Sequence, residues 1–507
     1  MTSEQQPESQ GDPYGGGLAT RGACVGPTDS SGQTLIRKVG GSALNLAARF
    51  GLITLISAIT TIAITRLLLP TGYGIYGSAV ATSAVLGAVS DFGFSTMLSR
   101  DMADQPVQHR SLLRAAYEVA LSWSALLGLI MVGLAFAAGI TSSRGEALLV
   151  LAPSMVFNGL NPARILFVVR YQTRRLVTVD VIFGVVQMLV SIAMAAAGLG
   201  PVAVAASASA ASILDNIAIA VMAERMLPRG GIPFSRLELV RRSAPLGVMS
   251  IMTKVYLTID LVLLGWYLAG TRLGDYAAAS KLLTVLAGLA GVVMGGALPG
   301  LASTARDTDQ LNKLVERVWH WLIVVALPLF VGLALFAPLA IRVSIGGRYQ
   351  GAIALIRILS IAGAVTVLSN LVGNVMVALR RVRQLFIQNS VAVIVNIVGN
   401  LVLIPHYGAY AAAWMTVVTE VVVCSCALFS LRRDLKWSRL LRVSWRPTLG
   451  ILLASSAALP LLRSQCLALG AGVAVFVLSL AVLAAWPSEF NAVRLGLPRA
   501  RSGSRPG

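Results

Sequence analysis

The chain has 507 residues, of which 56% are hydrophobic and 12% charged. Its mean hydropathy of +0.78 excludes an ordinary soluble protein. The net charge of +20 has no soluble domain on which to gather, so nucleic acid is excluded as a partner.

Residues 1–40 are rich in Gly, Ser, Gln and Pro and read as a disordered cytoplasmic tail. Glu4, Glu8 and Asp12 replace the basic start of a secretory signal. From Gly41 the chain becomes a succession of apolar segments near the crossing length of roughly 20 residues. They fall at 44–69, 74–97, 112–138, 146–168, 176–199 and 201–223, then at 243–270, 274–302, 317–343, 350–379, 384–404 and 407–431. Two more lie at 447–462 and 466–486. The expectation is an all-α polytopic membrane protein of about fourteen transmembrane helices. Its domains are an N-terminal six-helix lobe (41–225), a connecting loop (226–242), a C-terminal six-helix lobe (243–432), a basic linker with two extra helices (433–486) and a cytoplasmic tail (487–507).

Two patterns relate the lobes. The first apolar helix is expected to end at Pro70, with a Gly/Tyr turn after it. That stretch, Thr71–Ala79 (TGYGIYGSA), is echoed by Thr271–Ala279 (TRLGDYAAA). Asp180, Gln187 and Ser191 lie at i, i+7 and i+11, one stripe of a helix, and Asn389, Asn396 and Asn400 repeat that spacing. Asn161 maps to Asn370 at the same offset. An internal repeat of this size suggests two homologous halves, a common transporter plan. The two stripes are expected to line opposite walls of a central cavity.

Arginine and lysine alternate between loops. One side carries Arg100, Arg110 and Arg114, then Arg170 to Arg175, Arg225 to Arg242, Arg306 to Arg317, Arg380 to Arg383 and Arg432 to Arg446. The other carries isolated Arg144, Arg272, Arg348 and Arg463. This bias places both termini in the cytoplasm.

Charges inside apolar segments cost ~2.5–3.5 kcal/mol each at mid-membrane, so they should face protein or a wet cavity. Arg49, Lys254 and Lys281 are expected to converge on an anion, with Asp91 and Asp260 as their partners when the site is empty. Asn158, Asn161, Pro162 and Arg164 form a polar break in the fourth span. Glu118, Arg357 and Glu420 read as lying near span ends. Asp307-Thr308-Asp309 has the form of a DxD motif but sits in a short loop, so it reads as solvated. Cys24, Cys424, Cys426, Cys466 and three histidines show no metal-ligand spacing, and there is no P-loop or nucleophile elbow. No metal or cofactor is expected.

The segment Arg66-LLLP-TGYGIYG, the Asp91-Phe-Gly-Phe with Arg100 following, and Tyr407-GAYAAA resemble the polysaccharide-transporter branch of the MOP superfamily. These are the Wzx-type flippases of undecaprenyl-pyrophosphate-linked oligosaccharides. The resemblance covers about residues 40–432. It implies two bundles arranged as a V, a central cavity and alternating access at the cell inner membrane, without an ATPase. The sequence does not distinguish a sodium gradient, a proton gradient or the membrane potential as energy source; the expected partners are membrane lipids, a polysaccharide polymerase and chain-length proteins.

Three readings compete. A flippase must shelter a pyrophosphate and a polar glycan, which suits Arg49, Lys254 and Lys281 with the Asp/Gln/Asn stripes. A lipid II flippase is a close variant of it. A multidrug cation antiporter of the same superfamily would use Asp91, Asp180, Asp215 and Asp260. A membrane enzyme acting on glycans would usually expose a large outer loop, and every outer loop here is short.

The alternation of loop charge makes a prediction about topology. Reporter fusions after Arg114, Arg242 and Arg383 should report cytoplasm, and fusions at Arg144 and Arg348 the periplasm. A consistent inversion between the two sets would overturn the span assignment.

Overall fold

A computed structural model describes residues 30–104, 109–227, 234–304 and 307–483. Most of the expected N-terminal tail and all of the C-terminal one lie outside these residues. The tail boundary moves, because helix starts at Ser30 rather than after residue 40. Among the described residues there is no strand.

Helix α1 (Ser30–Asp91) is two helices joined at Leu69, where φ is 60° and ψ 170°. The residue before a proline is pushed out of the helical region, while the fixed φ of Pro70 suits the first turn of a new helix. The expected Gly/Tyr turn is therefore absent, and the chain reverses at a single residue. The rest of the first lobe is α2 (Phe94–Asp104), α3 (His109–Ala137), α4 (Ser143–Phe157), α5 (Ala163–Val169), α6 (Thr173–Ala196) and α7 (Gly200–Met226). Between α4 and α5 a 3₁₀ turn, Asn158–Leu160, and Pro162 supply the expected polar break.

The second lobe comprises α8 (Arg236–Tyr267), α9 (Thr271–Thr304), α10 (Thr308–Trp321), α11 (Leu327–Leu335), α12 (Ala337–Ser344), α13 (Ala352–Ala378), α14 (Val382–Tyr407) and α15 (Ala409–Ser430). A π-helical turn, Leu322–Ala326, joins α10 to α11. Helices α16 (Trp437–Ala458) and α17 (Gln465–Val482) follow, α16 starting well before the expected 447. Ten helical stretches among the described residues are long and apolar enough to cross a membrane, and one of them, Gly51–Met102, spans 52 residues, enough for two passes. The broken α4–α5, together with α9 and α16, makes the set consistent with about fourteen crossings.

The two ends of the molecule are packed differently. At the end where Pro70 and Gly270 lie, one core draws on both lobes, joining Ile64, Leu68 and Tyr73 to Leu264, Leu273, Tyr276, Ile341 and Tyr349. At the other end, where the arginine-rich loops lie, the cores separate. One belongs to the second lobe with the start of α16, and the other to the first lobe with Leu239 from the first turns of α8. We call these the joined end and the basic end. At the basic end Gly93, at φ +75°, abuts the backbone of Gly247, so a side chain at either position would meet main chain.

The two echoed segments meet at the joined end. A Cβ on Gly74 would lie 2.7 Å from the amide nitrogen of Gly274, and one on Gly77 would lie 3.1 Å from Cβ of Ala277. Gly74 and Gly77 thus pack against their counterparts, while a Cβ on Gly274 would meet the carbonyl of Pro70, so the two echoed segments face each other with an offset. Contacts across the lobe boundary reinforce this end. Arg66 donates to the carbonyls of Ser344, at 2.9 Å, and Val343. Tyr349 Oη donates to Thr65 O at 2.7 Å, and Arg144 donates to Gly265 O.

Cysteines at 77 and 277, in a chain cleared of its four native cysteines, should form a disulfide under mild oxidation, since their Cβ atoms fall near bonding range. A mobility shift on non-reducing gels measures it. Failure to cross-link would remove the pseudo-twofold contact.

Candidate functional site

The first lobe holds an ionic network drawn from four spans. Arg49 on α1 donates from Nε to Asp180 Oδ2 at 2.5 Å. Arg164, carried on α5 just past the helix break, bonds Asp180 through Nη1 and Asp215 through Nη2. Its Nε donates to Asn161 Oδ1 at 3.0 Å. Nearby, Asn216 on α7 donates to Asn158 at 3.3 Å. The break between α4 and α5 places Asn161 and Arg164 on adjacent turns facing α6 and α7. Two arginines and two aspartates balance, and the planar guanidinium of Arg164 serves two carboxylates at once.

Arg49 is thus partnered by Asp180, not by Asp91. Asp91 ends α1 and accepts from Ser95 Oγ. Asp260 is buried, accepts from Tyr276 Oη and from the Leu261 amide at 2.8 Å, and among the described residues pairs with no cation. Local hydroxyl and amide donors satisfy both carboxylates, which corrects the expected pairing with the lysines.

Lys254 lies on α8 and Lys281 on α9. Lys254 is exposed and Lys281 half-buried, close enough for their charges to repel. Among the described residues neither forms an ion pair. At 1.5 Å per helical residue, Lys281 lies about 15 Å from the joined end, Lys254 about 20 Å and Arg49 about 28 Å. Along their own helices the three cations therefore stand at different distances from that end.

The two stripes behave differently from expectation. Ser191 is buried and bonds Ser207 of α7 at 2.7 Å. Asn396 donates to Thr419 of α15 at 3.2 Å, and Asn400 donates back to Asn396 at 3.0 Å. Asn396 and Asn400 are fully enclosed, so they hold α14 to α15 and do not line a wall. Gln187 is half-buried with no partner among the described residues. Asn389 donates to Thr253 of α8 at 3.0 Å, beside Lys254.

Other charges resolve plainly. Glu118 pairs with Arg236 at 2.6 Å, and Arg357 is exposed. Glu420 is not near a span end. It lies midway along α15, is 3% exposed, and accepts from Ser369 at 3.2 Å. Asp307 of the DxD caps α10, accepting from the amides of Asp309 at 2.9 Å and Gln310 at 3.1 Å. Those donors, Gln310 first, hold its carboxyl below the usual range. Sequence reasoning leaves Asp215 out of the site, although the charge argument that selects Asp180 applies to it equally. Arg144, whose guanidinium sits 4.4 Å from the Trp266 ring centre, was marked only by its loop position.

The architecture is shared with several solved structures. The fold is similar to that of "Lipid II flippase MurJ, inward closed conformation", with a TM-score of 0.69 at 14% identity over 88% of this chain and 99% of that one. It is also similar to the MATE multidrug transporter DinF-BH (TM-score 0.55, 15% identity, 80% and 96% covered). A third likeness is to a multidrug resistance MATE family transporter of the MOP superfamily in an inward-facing conformation (TM-score 0.51, 14% identity, 78% and 96% covered). The sequence itself is more particular. Residues 63–354, more than half of the chain, match the model of a family described as polysaccharide biosynthesis protein, and the chain belongs to that family. No curated protein sequence matches the chain.

Arg164→Ala would strip Asp215 of its partner and leave Asp180 with Arg49 alone. Breaking a buried pair in this way should cost about 3–5 kcal/mol. Thermal unfolding of the purified protein measures it, and Arg164→Ala combined with Asp215→Asn should recover part of the loss. Equal stability of the single variant and the unaltered chain would show that the network does not hold the lobe together.

Proposed function

We propose that this protein is a flippase that moves an undecaprenyl-pyrophosphate-linked oligosaccharide repeat unit outward across the inner membrane by alternating access. The unit would serve exopolysaccharide or O-antigen assembly. The observation that carries this reading is the charge balance of the interior. Asp180 and Asp215, which would otherwise suit a drug cation, are occupied by Arg49 and Arg164. Lys254 and Lys281 have no counter-charge among the described residues, and a pyrophosphate would relieve their repulsion. Membership of a polysaccharide biosynthesis family supports the glycan part of the substrate.

In this reading the basic end faces the cytoplasm. The pyrophosphate passes Arg49, settles at Lys254 and Lys281, and leaves through the joined end once its shared core parts. Lysine acts there as a point charge, and Arg49, shared with Asp180, offers a planar fork. Because α8 and α9 belong to one lobe and α1 to the other, an anion drawn to both favours whichever access state brings them closer. The sequence carries no ATPase motif, so a sodium or proton gradient or the membrane potential is the proposed energy source. A polymerase and chain-length proteins would consume the product.

The test is complementation of a flippase-null strain, with membrane abundance checked by immunoblot. Lys254→Ala and Lys281→Ala should abolish or sharply reduce surface polysaccharide at normal protein level, and Arg49→Ala should reduce it. Lys281→Arg should retain more activity than Lys281→Ala. Full activity in all three alanine variants would return the drug-antiporter reading to first place. Rescue of a lipid II flippase deficiency instead would reassign the glycan.

A further inference from the structure

The chain leaves α15 through a turn bearing Arg432 and Arg433, and α16 opens with Arg439, Arg442 and Arg446, all exposed. Three neighbouring cations at the basic end are matched: Arg381 with Asp434 at 2.7 Å, Lys436 with Asp309 at 2.6 Å, and Arg242 with Asp101 at 3.1 Å. Among the described residues these five arginines form no ion pair. Arg439, Arg442 and Arg446 fall at i, i+3 and i+7, on one face of the helix.

Beside that face runs a second stripe. Leu441, Trp445, Leu449 and Leu452 are exposed, and from Pro447 to Ala458 the helix carries no charge. Guanidinium gives way to open hydrocarbon within about two turns. A purely solvated face would lack the apolar stripe, and a helix-packing face would be covered. Aromatic rings brace the cations, with Arg446 5.5 Å from the Trp445 ring centre and Arg432 4.3 Å from that of Phe429. Tryptophan and arginine at the head of a lipid-facing stripe lie at the depth of the phospholipid headgroups.

We propose that Arg432, Arg433, Arg439, Arg442 and Arg446 form a docking surface for the anionic headgroups of bilayer phospholipids at the basic end. Each guanidinium offers a phosphate two parallel donors, and a basic cluster on an amphipathic helix start is the pattern that collects anionic lipid. The surface is tied to the second lobe. Trp319 Nε1 on α10 donates to Ser444 Oγ at 2.8 Å, and Asn312 Oδ1 accepts from the Lys436 amide at 2.8 Å. Lipid held here therefore fixes α16 and, through α10, the basic end of one lobe against its leaflet. The inference depends on the membrane setting of α16 and not on the flippase reading.

The experiment uses the full chain purified in a neutral detergent, with phosphatidylglycerol or phosphatidylcholine of matched acyl chains added. Native mass spectrometry counts retained lipids, and thermal unfolding reports stabilisation. Phosphatidylglycerol should be retained and should raise Tm well above phosphatidylcholine, with the difference fading at ~0.5 M salt. Arg442→Gln should weaken retention about fivefold and the triple change Arg439→Gln, Arg442→Gln, Arg446→Gln by more than tenfold, with phosphatidylcholine unaffected. The corresponding triple lysine variant should keep most of the binding, and it preserves the charge that directs insertion if the glutamine variant fails to insert. Equal retention of the two lipids, or unchanged phosphatidylglycerol binding in Arg442→Gln, would overturn the proposal. Displacement of phosphatidylglycerol by low concentrations of soluble pyrophosphate would overturn it too, assigning the arginines to substrate headgroup instead.

Discussion

A charge inside hydrocarbon must meet its opposite, and the first lobe is organised around that demand. Four ionised groups left unpaired at mid-membrane would cost on the order of 10 kcal/mol together, comparable to the whole stability of a domain. The broken span between α4 and α5 is what allows the solution. It frees Asn161 and Arg164 from a straight helix so that one guanidinium reaches both Asp180 and Asp215, while Arg49 closes the remaining side of Asp180. The second lobe meets the same demand differently: its buried carboxylates, Asp260 and Glu420, are satisfied by hydroxyl and amide donors. Where the first has Asp180 the second has Asn389, and its helices are joined by amide–hydroxyl bonds to Thr253 and Thr419. Among the described residues, that choice leaves Lys254 and Lys281 without an ion-pair partner, whereas Arg49 and Arg164 each have one.

The unequal packing of the two ends belongs with this asymmetry. A core shared by both lobes ties them together at the joined end, whereas at the basic end the cores are separate and the start of α8 bridges them. Helix α8 starts in the core of the first lobe and ends in the shared one, so it runs between the two regimes. Arg66, Arg144 and Tyr349 bond neutral carbonyls rather than carboxylates across the joined end. Such bonds involve no carboxylate, so breaking one would strand no acid.

The architecture was legible because hydropathy and loop charge are additive signals that survive without knowledge of neighbours. The repeat was legible for a related reason: Gly74 and Gly274 are constrained by backbone contact, which only glycine tolerates. The site was harder to read. Membrane charges identified Arg49, Arg164 and Asp180 as buried participants, but which acid meets which base depends on rotation and depth of separate helices. Asp91 and Asp260 were paired with cations by sequence depth alone, while Ser95 and Tyr276 satisfied them locally. The polar stripes failed similarly. A helical stripe of Asn or Ser has the same spacing whether it faces water or a neighbouring helix, and Ser207 and Thr419 come from segments that the stripe itself does not reveal.

The meeting of Gly74 with Gly274 carries an implication for ancestry. A residue that touches its own counterpart is the signature of a self-complementary surface, the kind by which two identical chains associate. A single six-helix ancestor pairing with its copy would have needed one such glycine, and any side chain there would have clashed across the axis on both copies. In a single polypeptide each side of such a contact is free to differ, and here Gly77 faces Ala277 rather than a second glycine. The same freedom permits an interior with arginine–aspartate pairs on one side and bare lysines on the other, an imbalance that a symmetric dimer of identical chains has no means to build.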